Sequence, residues 1–163
     1  VDDAHAKEIQ EKVSEINKLY QESKKLYLAG DLVSAKQKME IAYNMEQNFP
    51  KLNKLYGLLC YKAREYSMAI HTISKYLEKE PGDEEMWYYL SLSYKKIGES
   101  GEAIHAAQKA LELNPENVNH MINLSDLYRI SGNLEKSREF SEKALSIDVD
   151  NKNARKILAA IGT

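Results

Sequence analysis

An all-α fold of repeated helical hairpins is what this sequence predicts, on three observations. The first is a beat of 34 residues: Gly98 and Gly132 stand one interval apart, and Gly30 stands two intervals before Gly98. The same register carries Pro81 and Pro115, Ala35, Ala69 and Ala103, Ala110 and Ala144, and Leu77, Leu111 and Leu145. Self-similarity at such a spacing means a supersecondary unit stacked along an axis, each copy burying its apolar face on its neighbours. The second is composition: only seven Gly and three Pro interrupt 163 residues rich in Leu, Ala, Lys and Glu, which favours helix. The third is that no stretch shows the strict apolar/polar alternation of a half-buried strand.

The elements follow in order. Ile9, Val13, Ile16 and Tyr20 step by four, three and four residues, and neither Gly nor Pro occurs from Asp3 to Ala29, so one long helix is expected there. Residues 1–15 carry none of the recurring alanines and are taken as a helical extension continuous with the first unit. Setting the end of one unit near Pro115 divides the rest into 16–49, 50–83, 84–117 and 118–151, with a half-unit at 152–163. In the third block Trp87, Leu90, Tyr94 and Ile97 recur at helical spacing, and Gly98 follows where a left-handed C-cap wants no Cβ. Ala103, Ala107, Ala110 and Leu111 mark its second helix, which Asn114-Pro115 closes. Asp31, Ser67, Ser100 and Asn133 sit just past the turns as N-caps or first-turn residues. Ala103 is expected where the two helices of its hairpin touch, and Ala106 on the more exposed side. In the half-unit Ala154, Ile157, Leu158 and Ile161 form one apolar face and Lys152, Arg155 and Lys156 the other, the pattern of a capping helix.

Length and charge narrow the function classes. The apolar content of 43% suits one continuous core, and no apolar run approaches the length of a membrane span. A formal charge of −2 argues against a nucleic-acid binder that relies on neutralising phosphates. The single Cys60 excludes an internal disulfide. Because the sequence opens at Val1 and not at Met, a processed product or excised fragment is expected, any targeting segment having been removed. The cytoplasm is the favoured compartment, with a bacterial periplasm open if a signal or anchor precedes Val1. The 19 Lys against 4 Arg suggest a bacterial source of low GC content.

The units resemble tetratricopeptide repeats, whose pattern runs Trp-x2-Leu-Gly-x2-Tyr, then Ala-x3-Phe, Ala and Pro. Block 84–117 matches with Trp87, Leu90, Ser91 in place of Gly, Tyr94, Ala103, Ala107, Ala110 and Pro115. Block 50–83 supplies Gly57, Ala69 and Pro81, block 118–151 supplies Leu124, Ser125, Tyr128, Ala144 and Leu145, and block 16–49 supplies Ser23, Gly30, Ala35 and Ala42, with its proline displaced to Pro50. Arg64 stands where the other turns carry Gly, Cys60 replaces the tyrosine, and Ser137 replaces an alanine. The resemblance implies a right-handed superhelical α-solenoid of antiparallel helix pairs, about four repeats plus the capping helix, with first helices lining a concave groove.

The resemblance also implies which side chains face a partner: positions 2, 5, 9, 12 and 13 of each repeat. They are Asn17, Tyr20, Lys24, Tyr27 and Leu28; Lys51, Lys54, Leu58, Tyr61 and Lys62; Glu85, Tyr88, Leu92, Lys95 and Lys96; Asn119, Ile122, Asp126, Arg129 and Ile130. Cations outnumber anions, so the groove is expected to attract an acidic segment, with Tyr20, Tyr27, Tyr61 and Tyr88 offering broad surface for its apolar side chains. Glu40, Glu46, Glu78, Glu112, Glu135 and Glu139 supply compensating charge on the second helices. Some co-chaperones of the family grip a terminal carboxylate through a Lys, two Asn, a Lys and an Arg. Here those positions hold Tyr20, Lys24, Leu55, Glu85 and Tyr89, or one block later Lys54, Leu58, Tyr89, Asn119 and Asn123, and neither set reproduces the clamp.

No chemistry competes with a binding role. His71 and His105 share a repeat position and could approach within about 10 Å by helix packing, but no carboxylate or Cys sits beside them at ligand spacing. They read as surface histidines, and Cys60 as a buried small hydrophobe. Neither a phosphate loop, a carboxylate pair nor a Ser/His/Asp arrangement occurs, so no catalytic residue, cofactor or metal is assigned. The expected function is a non-enzymatic scaffold that binds a peptide or acidic protein segment in its groove, without nucleic acid or membrane insertion. The alternatives are a self-assembling module docking through residues 1–15 or the terminal helices, and an adaptor segment of a larger membrane-anchored or multidomain protein.

Overall fold

The computed structural model describes residues 3–162, so Val1, Asp2 and Thr163 of the two expected terminal elements lie outside it. All the described secondary structure is helical, and the chain divides after Glu80 into two compact units. The first holds α1 (Asp3–Leu28), α2 (Leu32–Met45), α3 (Pro50–Lys62) and α4 (Tyr66–Leu77). The second holds α5 (Glu84–Lys96), α6 (Ser100–Leu113), α7 (Val118–Ile130), α8 (Leu134–Ile147) and α9 (Lys152–Ile161). Within each unit every helix packs on the next, and α9 also touches α7.

Each hairpin turns through one left-handed residue. Gly30, Gly98 and Gly132 have φ of 86°, 84° and 84°. The bonds are of the Schellman kind, in which the amide two residues past the helix reaches a carbonyl five back, as in Asp31 N to Leu26 O at 3.0 Å and Asn133 N to Tyr128 O at 2.9 Å. Arg64 takes the same conformation at φ 63°, with Glu65 N on Cys60 O at 2.9 Å, and bears the Cβ crowding that glycine avoids. The turn therefore keeps the backbone bond of the other hairpins despite its odd residue. Asp31, Asn133, Asp83, Asn117 and Asn151 cap the helices that follow them through side-chain oxygens. Ser67 and Ser100 lie in the first turns of α4 and α6, and Pro50 opens α3, where a missing N–H costs nothing.

A small residue on the first helix of each hairpin meets a small residue twelve positions on. Ser23 Oγ donates to Ala35 O at 2.7 Å, Ser91 Oγ to Ala103 O at 2.8 Å, and Ser125 Oγ to Ser137 O at 2.7 Å. Gly57 holds the corresponding place in the second hairpin without a hydroxyl, and a Cβ built on it would stand 2.5 Å from Ile73 Cγ1 and 2.9 Å from Thr72 Oγ1. Around these contacts the large side chains close the core: Ile16, Met39, Leu52, Leu59 and Ile73 in the first unit, Met86, Leu124 and Leu127 in the second.

Two expectations need correcting or refining. Ala106 is not on an exposed side: it is 1% accessible, as buried as Ala107 on the same helix. With 3.6 residues per turn, α6 buries Ala103, Ala106, Ala107 and Ala110 as one stripe, because it packs on α5 and α7 at once. On α1 the apolar steps begin before any partner does, for Ile9 is 50% and Val13 38% exposed, and Ile16 is the first buried residue. At the other end α9 lays Ala154 and Ile157 against the hairpin of α7 and α8, with Met121 and Ala144 beneath, and leaves Lys152, Arg155 and Lys156 exposed.

Two outcomes follow for stability. Gly57→Ala should lower the melting temperature despite alanine's better helix propensity, since overpacking costs about 1–3 kcal/mol against a propensity gain of about 1 kcal/mol. Gly101→Ala, which meets open space in α6, should leave the melt equal or higher. Ala103→Leu and Ala106→Leu should each destabilise by about 1–3 kcal/mol in denaturant titrations, and a near-neutral Ala106→Leu would contradict its burial.

Candidate functional site

Each unit carries an open groove on its first-of-pair helices. The groove of the first unit, about 450 Å³, is formed by α1 and α3 with the end of α4. Tyr20, Tyr27, Leu28, Pro50, Leu55, Leu58 and Tyr76 make its walls, and Lys24, Lys51, Lys54 and Glu80 its charged positions. The groove of the second unit, about 520 Å³, lies among α5, α7 and α9. Its lining is more polar: Lys95, Asn119, Asn123, Asp126, Arg129, Asn153 and Lys156 accompany Tyr88, Leu92, Ile122, Ile157 and Ala160.

Helical periodicity gathers these side chains. Tyr20, Lys24, Tyr27 and Leu28 are three, four or one residue apart and therefore share one face of α1, while Ile16, Leu19 and Ser23 of the same helix are buried. Lys51, Lys54 and Leu58 repeat this on α3. Of the eleven cationic and tyrosine side chains among the positions expected to face a partner, Tyr20, Lys24, Tyr27, Lys51 and Lys54 line the first groove and Tyr88, Lys95 and Arg129 the second. Tyr61, Lys62 and Lys96 line neither. The Tyr61 ring lies 5.9 Å from that of Tyr66, the Lys62 ammonium sits 5.8 Å from the Tyr27 ring centroid, and Lys96 is exposed at the end of α5.

The two grooves differ in how their charges are held. In the second, Asp126 takes both neighbouring cations: the Lys95 ammonium meets Oδ2, while Arg129 Nη2 and Nε donate to Oδ1 at 2.7 and 3.0 Å. Burial pushes the Asp126 carboxyl up, and the bonds from Lys95 and Arg129 outweigh it and hold it below its ordinary value. In the first groove the Lys51 ammonium donates to Asn17 Oδ1 at 2.5 Å and stands 5.1 Å from the Tyr20 ring centroid, and Lys54 stands 5.8 Å from that of Tyr76. Among the described residues, neither Lys24 nor Lys51 has a carboxylate partner.

Sequence reasoning missed several lining residues. Asn153 and Lys156 reach the second groove because α9 closes one end of it, which a helix read only as a cap does not suggest. Asn123 is buried, its amide donating to Ser91 Oγ at 2.8 Å. His120 is buried beside the second groove with its ring 5.3 Å from that of Tyr88 and Nε2 3.7 Å from Glu84 Oε1. Elsewhere His71 and His105 are exposed, and burial pushes the Cys60 thiol up to about 12. Among the described residues no group of three or more His, Cys, Asp or Glu is placed to hold a metal ion, and no helix is long and apolar enough to cross a membrane.

Helical hairpins with small residues at each crossing and an open groove along the first helices define a class of helical-repeat protein. Tetratricopeptide-repeat family models match residues 84–117 and 106–139 of this chain, which carries repeats of that kind there. No curated protein matches it by sequence. Solved structures share the fold. A crystal structure of MamA superposes with a TM-score of 0.79 at 22% identity, over 85% of this chain and 81% of that one. The segment of MamA from residue 41 to the end, from Desulfovibrio magneticus RS-1, gives 0.77 at 21%, over 84% and 77%. A structure of MamA from AMB-1 gives 0.77 at 17%, over 88% and 78%.

His120 carries a pH dependence. Burial lowers its proton affinity, which the Glu84 carboxylate only partly restores, so the folded chain favours the neutral ring. As pH falls through the ordinary value of 6.5 the unfolded chain takes up the proton first, and stability falls with it. Melting temperatures between about pH 8 and about pH 5 should therefore drop less steeply in His120→Gln than in the parent.

Proposed function

We propose that the chain is a non-enzymatic scaffold that holds an acidic peptide or protein segment on its first-of-pair helices. The reading treats 16–49, 50–83, 84–117 and 118–151 as four repeats, 1–15 as a helical extension and 152–163 as a cap. The tetratricopeptide-repeat matches over 84–139 support the class, since such repeats present surface to protein partners. The observation that carries the finer reading is the rim of the first groove, where Lys24 and Lys51 flank apolar walls without a carboxylate of their own. Both are exposed, so the field they set up reaches solvent and steers an acidic segment toward the walls.

The second groove contributes differently, because Asp126 already occupies Lys95 and Arg129. A charge reversal at Lys95 would set two carboxylates side by side and confuse binding with repulsion inside the groove. The test accordingly uses Lys24→Glu with Lys51→Glu. Circular dichroism and melting should change little, since exposed charges contribute about 1 kcal/mol or less. Association of fluorescently labelled Glu- and Asp-rich peptides should slow at least tenfold, and the gap should close as ionic strength rises from about 0.05 to about 0.5 M. Equal binding by parent and variant would remove the first groove from the partner surface.

Self-assembly is the second reading, favoured by Ile9 and Val13, which stand exposed on the part of α1 that precedes its buried stretch. It predicts a sedimentation coefficient that grows with protein concentration and an Ile9→Ser/Val13→Ser variant that stays monomeric.

A further inference from the structure

We infer that the groove of the first unit takes a short linear segment in which a large apolar side chain, of the Phe, Leu or Met kind, is flanked by carboxylates. This rests on the acidic-segment reading above and names what the acids must accompany. The walls require it. Leu28 is 75% exposed on the last turn of α1, and together with Tyr20, Tyr27, Leu55 and Leu58 it borders a space of about 450 Å³. An apolar surface left open in this way is stabilised by a partner's apolar group, and burial of such surface is the main source of affinity at interfaces of this kind.

The charges are arranged to orient the segment and not to hold it alone. Lys51 rests near the Tyr20 ring and on Asn17, so a carboxylate that recruits it displaces contacts already made. Exposed ion pairs each contribute little, and a segment with acids but no apolar anchor gains correspondingly little. Direction comes from Glu80, which lines the groove on the α4 side and repels acids there, whereas Lys24 and Lys51 attract them along α1 and α3. The size of the site follows from helix geometry. Tyr20 to Leu28 spans eight steps of α1, about 12 Å along the axis, which an extended chain covers in about four residues. The second groove is unlike this: three asparagines, Asn119, Asn123 and Asn153, together with Asp126, give it polar walls.

The full chain is titrated by fluorescence anisotropy with three labelled, end-blocked pentapeptides: Asp-Glu-Phe-Glu-Asp, Asp-Glu-Ala-Glu-Asp and Lys-Lys-Phe-Lys-Lys, with sedimentation velocity at the same concentration. The Phe peptide with acids is expected to bind at least fivefold more tightly than either of the others. Leu28→Ser, at an exposed position that leaves folding intact, should weaken it at least fivefold at low and high salt alike. If the Ala peptide binds within fivefold of the Phe peptide, the inference falls while the acidic-segment reading stands. If the Lys-flanked peptide binds as well, both fall, and the groove is a general apolar surface. If no peptide binds and the protein sediments as a dimer, a second copy is the occupant and the inference is overturned. Absence of binding by a monomer also overturns it.

Discussion

The contact on which the other features depend is the crossing inside each hairpin, where Ser23, Ser91 and Ser125 meet Ala35, Ala103 and Ser137, and Gly57 meets Thr72 and Ile73. Small side chains let two backbones approach closely, and close approach lets a hydroxyl on one helix reach a carbonyl on the other at 2.7–2.8 Å. The hydroxyl is buried, so its hydrogen bond avoids a desolvation penalty of about 1–3 kcal/mol. At Gly57 the hydroxyl is dispensed with, Ile73 filling the space that a Cβ would need. Once the crossing is fixed, helical periodicity decides the rest. Residues on the same face as Ser23, such as Ile16 and Leu19, become core, and residues on the adjoining face, such as Tyr20, Lys24 and Tyr27, are left to line a groove.

The last hairpin shows how far the crossing tolerates polarity. Ser137 stands where the other hairpins have alanine, and Ser141 follows one turn later, so Ser125 Oγ bonds both the Ser137 carbonyl and the Ser141 hydroxyl at 2.7 Å. Three buried serines are accommodated because they satisfy one another. The aromatic pair Tyr128 and Phe140, stacked at 5.9 Å with an interplanar angle of 13°, supplies apolar packing in the same hairpin.

Charge is distributed less simply than a tally of groove positions suggests. Asp126 draws Lys95 and Arg129 into one local network, and Glu40, Glu112 and Glu139 on second-of-pair helices pair with Lys36, Lys109 and Lys143 three or four residues away. Such neighbours neutralise much of the field that the side chains would otherwise project. The rim of the first groove is an exception: Lys24 and Lys51 lie among tyrosines and leucines, with Asn17 and the Tyr20 ring as the nearest polar company of Lys51.

The architecture was legible in the sequence because it depends on local requirements that recur. A left-handed turn wants glycine, a crossing wants a small residue, and a helix start wants Asp, Asn or Ser, so Gly30, Gly98 and Gly132, Ala35, Ala69 and Ala103, and Asp31 and Asn133 announce the hairpins at a constant interval. Tyr20, Lys24 and Tyr27 on α1 and Lys51 and Lys54 on α3 could be placed on shared helix faces for the same reason. What periodicity could not reveal depends on neighbours distant in sequence. The burial of Ala106 requires α6 to be covered from two sides, the capture of Lys95 by Asp126 joins residues 31 apart, and the entry of Lys156 into a groove follows from where α9 lies across α7 and α8. A side chain's spacing fixes its direction from its own helix. Which charge or surface it then meets is decided only when the helices pack.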